Sequence, residues 1–300
     1  MSIFLLSNPT SGGTSTNILL EQARRRLGER QGRWTEVMVR PGENITQLVE
    51  ELLPEVSTLF VAGGDGTVRA AAQALAGTDV ALGILPTGTV NVLARELGIP
   101  LSDPALAVDI GLGSAERWID IGSCNGESFL LMCSGGVDSA TIGQVNEGLK
   151  SAVGATAYAL AAVGALATFT PHRVRVTIDG NTLPETDVFL VAVGNTSLYG
   201  GDLKLLPDAS LDDGLLDIIL FTAPNLPAPV RNAAFLPQLA DMALGRHPQS
   251  DSVWIYQGKH ITLEAETPLQ LQRDGDLGSC TPATFTITPH ALRVKTPVRY

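Results

Sequence analysis

Three glycines, one carboxylate and one hydroxyl follow a short apolar run in the segment Val61–Thr67, which reads Val-Ala-Gly-Gly-Asp-Gly-Thr. Without Cβ atoms, glycines let backbone N–H groups approach an anion closely, and a following helix adds partial positive charge. The candidates for holding phosphate are Gly63, Gly64, Gly66 and Thr67. Asp65 belongs beside a phosphate if a divalent cation bridges the carboxylate and the phosphate oxygens. The segment predicts a site for a nucleotide with its metal, and an ordinary β–α turn is the alternative.

The elements around this segment alternate between strand and helix. The apolar spacing from Ile3 to about Trp118 predicts strands at Ile3–Leu6, Trp34–Val39, Thr58–Ala62 and Ala81–Leu85, and helices at Ser15–Leu27, Asn44–Leu53 and Thr67–Leu75. Short connections between such elements indicate a mainly parallel sheet with helices on both faces, which binds ligands outside the carboxyl ends of its strands. Three polar loops fall at that edge, and we expect them to form one site: Ser7–Gly13, Gly63–Thr67 and Pro86–Asn91.

The pattern changes after about Ile119. Strand-like runs separated by Asp-Gly and Pro signals occur at Arg173–Ile178, Val188–Val193, Leu215–Phe221 and His260–Leu263. We therefore predict an α/β nucleotide-binding domain over residues 1–118 and a β-rich, β-sandwich domain over residues 119–289.

The composition limits the class of partner. The 300 residues carry a net charge of −11, which argues against nucleic acid, because nucleic-acid affinity comes largely from Lys and Arg on phosphates. The arginines between Arg24 and Arg33 form a basic cluster that is typical of a solvated helix face, with a membrane-touching face as the alternative. The three cysteines show no metal-ligand or redox spacing, and the N-terminus lacks a signal-peptide pattern. We therefore expect a cytoplasmic protein.

One uncharged apolar segment, Ser151–Thr170, is nearly long enough to span a bilayer. Alanine and glycine dominate it, and Pro171 follows directly. This weak hydrophobicity favours a closely packed internal helix over a transmembrane helix.

Three motifs of the first domain resemble the diacylglycerol kinase catalytic family, with bacterial soluble lipid kinases as the closest subgroup. These motifs are Asn8–Gly12, Gly63–Thr67 and Gly88–Arg95. The match continues in the family's order through Gly194-Asn195, Gly200-Gly201, Pro207, Ser210–Asp217 and Asp274–Asp276. The resemblance implies a two-domain protein that transfers the γ-phosphate of ATP to a lipid hydroxyl, with its active site between the domains. It also implies that a final strand near Ala291–Lys295, within residues 290–300, returns to the first domain.

The resemblance assigns roles to residues of the first domain, position by position. The nucleotide contacts that it implies are Asn8, Ser11, Gly63, Gly64, Asp65, Gly66, Thr67, Thr89 and Asn91. Asp65 would also take part in catalysis through Mg²⁺ and its waters. Capping of the following helix is the alternative role for Thr89 and for Asn91.

The resemblance also assigns two roles in the second domain. A second Mg²⁺ would bind the backbone oxygens of Ser210 and Leu215 and the Asp213 carboxylate, which are the oxygen ligands that hard cations take. A plain Asp-Gly hairpin is the alternative there. Asp276 stands where the family usually has a glutamate that accepts the proton of the lipid hydroxyl, and a surface Asp-Gly-Asp turn is the alternative. Aspartate is one methylene shorter, and a misplacement of about 1 Å can cost about a hundredfold in rate.

Other positions also depart from the family's usual residues, namely Met38, Arg69-Ala70 and Asn91-Val92. They remove two carboxylates near the phosphate loops, and Arg69 could instead meet phosphate directly. Two other functions therefore stay open: phosphorylation of a soluble acceptor such as NAD, and nucleotide or lipid binding with weak catalysis. The expected partners are ATP, Mg²⁺, a lipid substrate and, transiently, the inner membrane surface, and a homodimer is left open.

Overall fold

The computed structural model describes residues 2–9, 16–31, 33–144 and 169–298. Its contacts divide the chain into unit 1, which comprises Met1–Ile121 and Pro289–Tyr300, and unit 2, which comprises Gly122–Thr288. The internal helix predicted for Ser151–Thr170 lies almost wholly outside the described residues and stays a prediction. Within the described ranges, no helix has the length and apolarity needed to cross a membrane.

Unit 1 alternates strands and helices as predicted. Its strands are β1 (Ile3–Ser7), β2 (Thr35–Met38), β3 (Thr58–Gly63) and β4 (Ala81–Pro86), and β5 (Glu116–Cys124) begins in it. Its helices are α1 (Thr16–Arg30), α2 (Ile45–Leu52), α3 (Asp65–Leu75), α4 (Val92–Glu96) and α5 (Pro104–Leu112). The first four strands pair in parallel in the order β2–β1–β3–β4. β1, β3 and β4 are buried along their whole length, as expected of parallel strands that helices cover on both faces.

Unit 2 is mostly strand. Its strands are β6 (Glu127–Phe129), β7 (Met132–Gly136), β8 (His172–Ile178), β9 (Asn181–Thr182), β10 (Thr186–Gly194), β11 (Leu198–Tyr199), β12 (Leu203–Lys204), β13 (Leu216–Thr222), β14 (Val253–Gly258), β15 (His260–Ala265), β16 (Gln270–Arg273), β17 (Asp276–Cys280) and the first part of β18 (Ala283–Lys295). Its described helices are α6 (Val137–Gln144), α7 (Ala228–Ala233), α8 (Phe235–Ala243) and a 3₁₀ turn at His247–Gln249. The helices α7 and α8 interrupt the β-rich pattern that the sequence predicts.

The alternation of side chains along β10 and β13 separates two hydrophobic cores in unit 2. Val191 and Ile218 lie in the larger core with side chains of β8, β15 and β18. Their neighbours Ala192 and Ile219 lie in the other core, which also contains Phe235 of α8. α8 therefore covers the face of this sheet that is turned away from the larger core.

The second part of β18 belongs to unit 1 and pairs with β4 in parallel, with Val294 opposite Leu82. Leu292 and Val294 are fully buried there. The Lys295 ammonium bonds to Glu116 and to the carbonyl oxygen of Gly113, 2.9 Å away. The last strand of the chain thus extends the sheet that begins with the first strand.

Candidate functional site

The predicted phosphate loop is the first turn of a helix. α3 begins at Asp65, two residues earlier than the predicted start at Thr67, so Asp65, Gly66 and Thr67 form that turn. Its N-cap residue is Gly64, which has no side chain to bond with the N–H groups of the turn. Since the first N–H groups of an α-helix lack partners within the helix, the turn offers donors to an anion at the positive end of the helix dipole.

Close backbone packing explains why glycine occupies this loop. A Cβ atom on Gly63 would lie 2.5 Å from the Cβ atom of Thr67. A Cβ atom on Gly88 would lie 2.3 Å from the Cα atom of Gly64, so the loop after β4 touches the loop after β3 through main-chain atoms. Two predicted loops therefore meet at this edge of the sheet, and only glycine fits at their contact.

Asp65 links the same two loops through hydrogen bonds. Its carboxylate accepts the N–H groups of Val92 and Leu93, at 3.0 and 3.1 Å, and so caps α4. The side chain of Asn91 bonds instead to the N–H and carbonyl groups of Gly88, at 3.1 and 2.8 Å. Asn91 occupies the N-cap position of α4, but its side chain makes no capping hydrogen bond there: it closes its own loop, and Asp65 supplies the capping acceptor.

Burial raises the pKa of the Asp65 carboxyl above its ordinary value, and backbone hydrogen bonds, led by those from Val92 and Leu93, offset only part of this effect. Backbone N–H groups of Asn91 and of Asp65 itself add to those of Val92 and Leu93, and a nearby cation would further favour the charged form of this carboxyl. The environment of Asp65 thus fits a carboxylate that works beside a divalent ion.

The first predicted loop reaches the same edge through Asn8. Its Nδ2 atom donates to Oγ1 of Thr67 at 2.9 Å, and its backbone N–H continues the sheet to Ala62 at 3.0 Å. Thr89 is exposed at the tip of the third loop. Ser11 lies outside the described residues. Unit 1 thus gathers its predicted nucleotide residues, apart from Ser11, from three loops at the carboxyl ends of β1, β3 and β4.

In unit 2, Asp276 begins β17 after a two-residue hairpin turn. Asp274 and Gly275 both have positive φ, at 47° and 91°, which is typical of the tight Asp-Gly hairpin. The Asp274 carboxylate accepts the N–H groups of Leu130, Leu131 and Met132, at 2.9 to 3.0 Å. Asp274 is therefore a structural anchor, and Asp276 is exposed beside it.

A buried hydrogen-bond network behind this hairpin was not predicted from the sequence. Gln272 accepts the N–H group of Gly275 at 2.7 Å and donates to Ser134 at 2.6 Å. Ser134 donates in turn to Asp138, which also accepts the hydroxyl of Tyr199. The available signal was Gly135-Gly136-Val137-Asp138, because it repeats the strand, glycine and acid order of Gly63–Asp65.

The Ser210–Asp217 segment is not a hairpin, since β13 pairs with β10 and β14 and not with the preceding strand. Within this turn, the Asp213 carboxylate accepts the N–H group of Leu215 at 3.0 Å. Asp217 follows as a buried residue whose Oδ1 atom accepts Gln257 at 3.1 Å. Its Oδ2 atom is buried without a hydrogen-bond partner among the described residues.

Burial, assisted by the charges of Asp213 and Asp208, raises the pKa of Asp217 to about 6, although the hydrogen bond from Gln257 opposes the shift. An incompletely compensated carboxylate beside this turn fits a cation. Across the described ranges, no group of three His, Cys, Asp or Glu side chains could hold a metal ion. Any Mg²⁺ here would rely on few carboxylates together with backbone, water or phosphate oxygens, as Mg²⁺ usually does.

Both parts of the chain match families of known proteins. Residues 2–124 match the diacylglycerol kinase catalytic domain, and residues 132–296 match the YegS C-terminal NAD kinase beta sandwich-like domain. A diacylglycerol kinase of Bacillus subtilis is 32% identical over 98% of this chain and 95% of its own length. The fold is similar to that of a diacylglycerol kinase crystal structure from Bacillus anthracis, with TM-score 0.78 and 24% identity over 99% of this chain and 97% of that one.

An NAD kinase from Archaeoglobus fulgidus, solved in complex with ATP, shares the fold more distantly, with TM-score 0.53 and 12% identity over 98% of this chain and 93% of that one. Together, these likenesses confirm the predicted fold class, an α/β domain with a mainly parallel sheet and a second, β-sandwich-like domain.

Proposed function

The chain belongs to the diacylglycerol kinase family, and from this membership we propose that it transfers the γ-phosphate of ATP to the hydroxyl of a diacylglycerol-like lipid. Membership already makes the protein a phosphotransferase with an alcohol acceptor. The observation that carries the nucleotide part is the meeting of three loops at one sheet edge, through the Asn8–Thr67 bond, the Gly64–Gly88 contact and the Asp65 cap of α4.

Phosphoryl transfer depends on positioning and charge neutralisation more than on covalent chemistry. We assign the first turn of α3 to the phosphates, with Asn8 and Thr89 as further nucleotide contacts. Asn91 acts by holding Gly88 against Gly64. The distant structural neighbour solved with ATP supports ATP as the donor, because its fold holds that nucleotide.

Mg²⁺ would neutralise the phosphate oxygens when bound. Asp65 is the residue that would hold it in unit 1, because its carboxylate lies where the loops after β3 and β4 meet. In unit 2 the fitting group is the turn with the Ser210 and Leu215 carbonyls and the Asp213 carboxylate, and the unpartnered oxygen of Asp217 supports a cation nearby.

Asp276 is proposed as the base that accepts the proton of the lipid hydroxyl. It is exposed, and its turn is held by Asp274 and Gln272, so its backbone position is well defined. We further propose a cytoplasmic protein that contacts a membrane transiently.

The acceptor is tested by offering labelled γ-phosphate of ATP, with Mg²⁺, to diacylglycerol, phosphatidylglycerol, sphingoid bases and NAD in parallel. Transfer to a lipid supports the proposal. Transfer to NAD alone would make the protein an NAD kinase-like enzyme, and ATP binding without transfer would leave a binding protein.

Asp276→Asn tests the base. We expect transfer to fall about 10²–10⁴-fold with ATP affinity unchanged, because a general base contributes about that much to rate. Asp276→Glu should keep at least the wild-type rate, since it restores the residue usual in the family. An unchanged rate in Asp276→Asn would remove Asp276 from the mechanism.

A further inference from the structure

On α7, α8 and the turns beside them, apolar side chains are exposed to solvent and amide side chains point into the protein. Between Leu226 and Gly245, every exposed residue is Leu, Val, Pro, Ala or Gly. The four large ones are Leu226, Val230, Leu236 and Leu244, which are 45%, 58%, 45% and 64% exposed. The amides Asn232 and Gln238 instead point inward, 6% and 5% exposed, and bond to the carbonyl oxygens of Phe169 and Thr222. Exposed large apolar side chains concentrated in one segment are typical of an interaction site.

We call this surface the 226–245 face, and its lack of hydrogen-bonding groups indicates which kind of partner it binds. Protein interfaces carry about one hydrogen bond per 100–200 Å² and need polar groups to make them. The exposed side chains of the 226–245 face offer no hydrogen-bonding group. A helix whose exposed face is apolar suits the boundary between the headgroups and the acyl chains of a bilayer.

Charge is also compatible with a bilayer here. The protein carries a net charge of −11, which anionic lipids repel. Between Leu226 and Gln249 the charged residues are Arg231, Asp241 and Arg246, and Arg246 pairs with Asp241 at 2.9 Å. Within residues 226–245 the charges of Arg231 and Asp241 cancel, and Arg246 lies just beyond, so the face approaches a phospholipid surface without the repulsion expected from the net charge of −11.

We propose that the 226–245 face docks unit 2 onto the surface of a phospholipid bilayer. The choice of a lipid partner rests in part on the proposed function, because the acceptor of that reaction resides in a bilayer. Docking would present unit 2 to the membrane that supplies the acceptor.

The test compares wild type with the double variant Leu236→Gln/Leu244→Gln in flotation with phosphatidylcholine vesicles, with and without phosphatidylglycerol. We expect wild type to float with both vesicles and the variant to bind about tenfold more weakly, because two half-exposed leucines lose their apolar burial. The matched control is Ile18→Gln/Leu106→Gln, which changes exposed apolar residues of unit 1 and should leave flotation unchanged.

Several outcomes would overturn docking: wild type that does not float, a variant that floats equally well, or a control that loses flotation to the same extent. A wild-type dimer in sedimentation that the variant converts to a monomer would assign the face to a second copy instead. Transfer to a short-chain, water-soluble diacylglycerol separates the two proposals, since the variant should retain it. Wild type that floats through this face and yet transfers no phosphate would refute the kinase function and support docking.

Discussion

At the scale of single residues, the proposed nucleotide site depends on the absence of Cβ atoms where two loops meet. Gly64 and Gly88 touch through main-chain atoms, and Asp65 reaches across that contact to cap α4. Glycine is required by this close approach, because a Cβ atom would meet backbone that cannot move aside.

Gly88→Ala tests the contact. The new Cβ atom would lie 2.3 Å from the Cα atom of Gly64, so the loops must separate. We expect a loss of about 1–3 kcal/mol in the free energy of unfolding and about tenfold or more in ATP affinity, measured by urea unfolding and calorimetry. Gly28→Ala in α1 is the control, since a Cβ atom there meets nothing within 4 Å and alanine favours helix. Equal ATP affinity in Gly88→Ala and wild type would contradict the assignment.

Asp217 gives the protein a pH-dependent stability. An unfolded aspartate has a pKa near 3.9, whereas burial raises the pKa of Asp217 to about 6 in the folded protein. The folded state therefore binds the proton more tightly, and the free energy of unfolding falls as pH rises from about 4 to about 6. We expect metal-free Asp217→Asn to be about 2 kcal/mol more stable than wild type at about pH 7.5, with the difference vanishing near pH 4.

Urea unfolding across this pH range measures the effect of Asp217→Asn. Added Mg²⁺ should stabilise wild type more than the variant if a cation binds beside Asp217, because binding to the folded state adds stability. A metal-free variant that is less stable than wild type at about pH 7.5 would contradict the expected sign.

At the scale of elements, the β16–β17 hairpin positions Asp276 rather than leaving it on a free loop. Asp274 receives three backbone N–H groups from residues 130–132, and Gln272 receives that of Gly275. The same Asp-Gly turn occurs at Asp179-Gly180, where the carboxylate accepts the N–H groups of Lys259 and His260 at an exposed site. Asp179 therefore serves as the control position for substitutions at Asp274.

Asp274→Ala should destabilise the protein by about 3 kcal/mol, because three N–H groups lose a charged acceptor and alanine is strained at φ 47°. Phosphate transfer should fall with it, since Asp276 loses its anchored turn. Asp179→Ala should cost less stability and leave transfer unchanged. Unfolding and transfer rates measure both variants, and equal transfer losses in the two would show that the hairpin has no particular role in positioning Asp276.

At the scale of the whole molecule, residues 289–300 complete a unit that the first 121 residues begin. Leu292 and Val294 are fully buried in unit 1, and Lys295 bonds to Glu116. The stability of the unit that carries the proposed nucleotide site therefore depends on residues far from it in sequence.

A chain that ends at Thr288 should lose about 3–6 kcal/mol of stability in unit 1, because two large apolar side chains lose their burial. Limited proteolysis within residues 1–121 and ATP binding measure the effect. A chain that ends at Val298 is the control and should behave as wild type. Retention of ATP binding by the shorter chain would show that unit 1 does not need its last strand.

Local sequence patterns predicted most elements of unit 1, because apolar periodicity and glycine turns act over a few residues. The same patterns placed α3 two residues late and did not predict α7 and α8. The glycine-rich run Gly63–Gly66 predicts a loop, which is why the start of α3 was placed after it. The prolines around the start of α7 also suggest a loop. Tertiary packing decided these elements: α8 exists because Phe235 fills the core beneath it.

The sequence by itself determined that a glycine-rich segment with Asp65 and Thr67 follows a buried strand. It also determined that two further polar loops lie at the same edge of the sheet. The tertiary structure alone decided which groups bond: Asp65 caps a helix 27 residues away, Asn91 closes its own loop, and Asp274 anchors the turn of Asp276. These bonds depend on the register between strands and on burial, which no local pattern encodes. The glycines and charged residues of a segment determine which hydrogen bonds and backbone conformations it can adopt. The packing of segments distant in sequence determines which groups its side chains actually bond to.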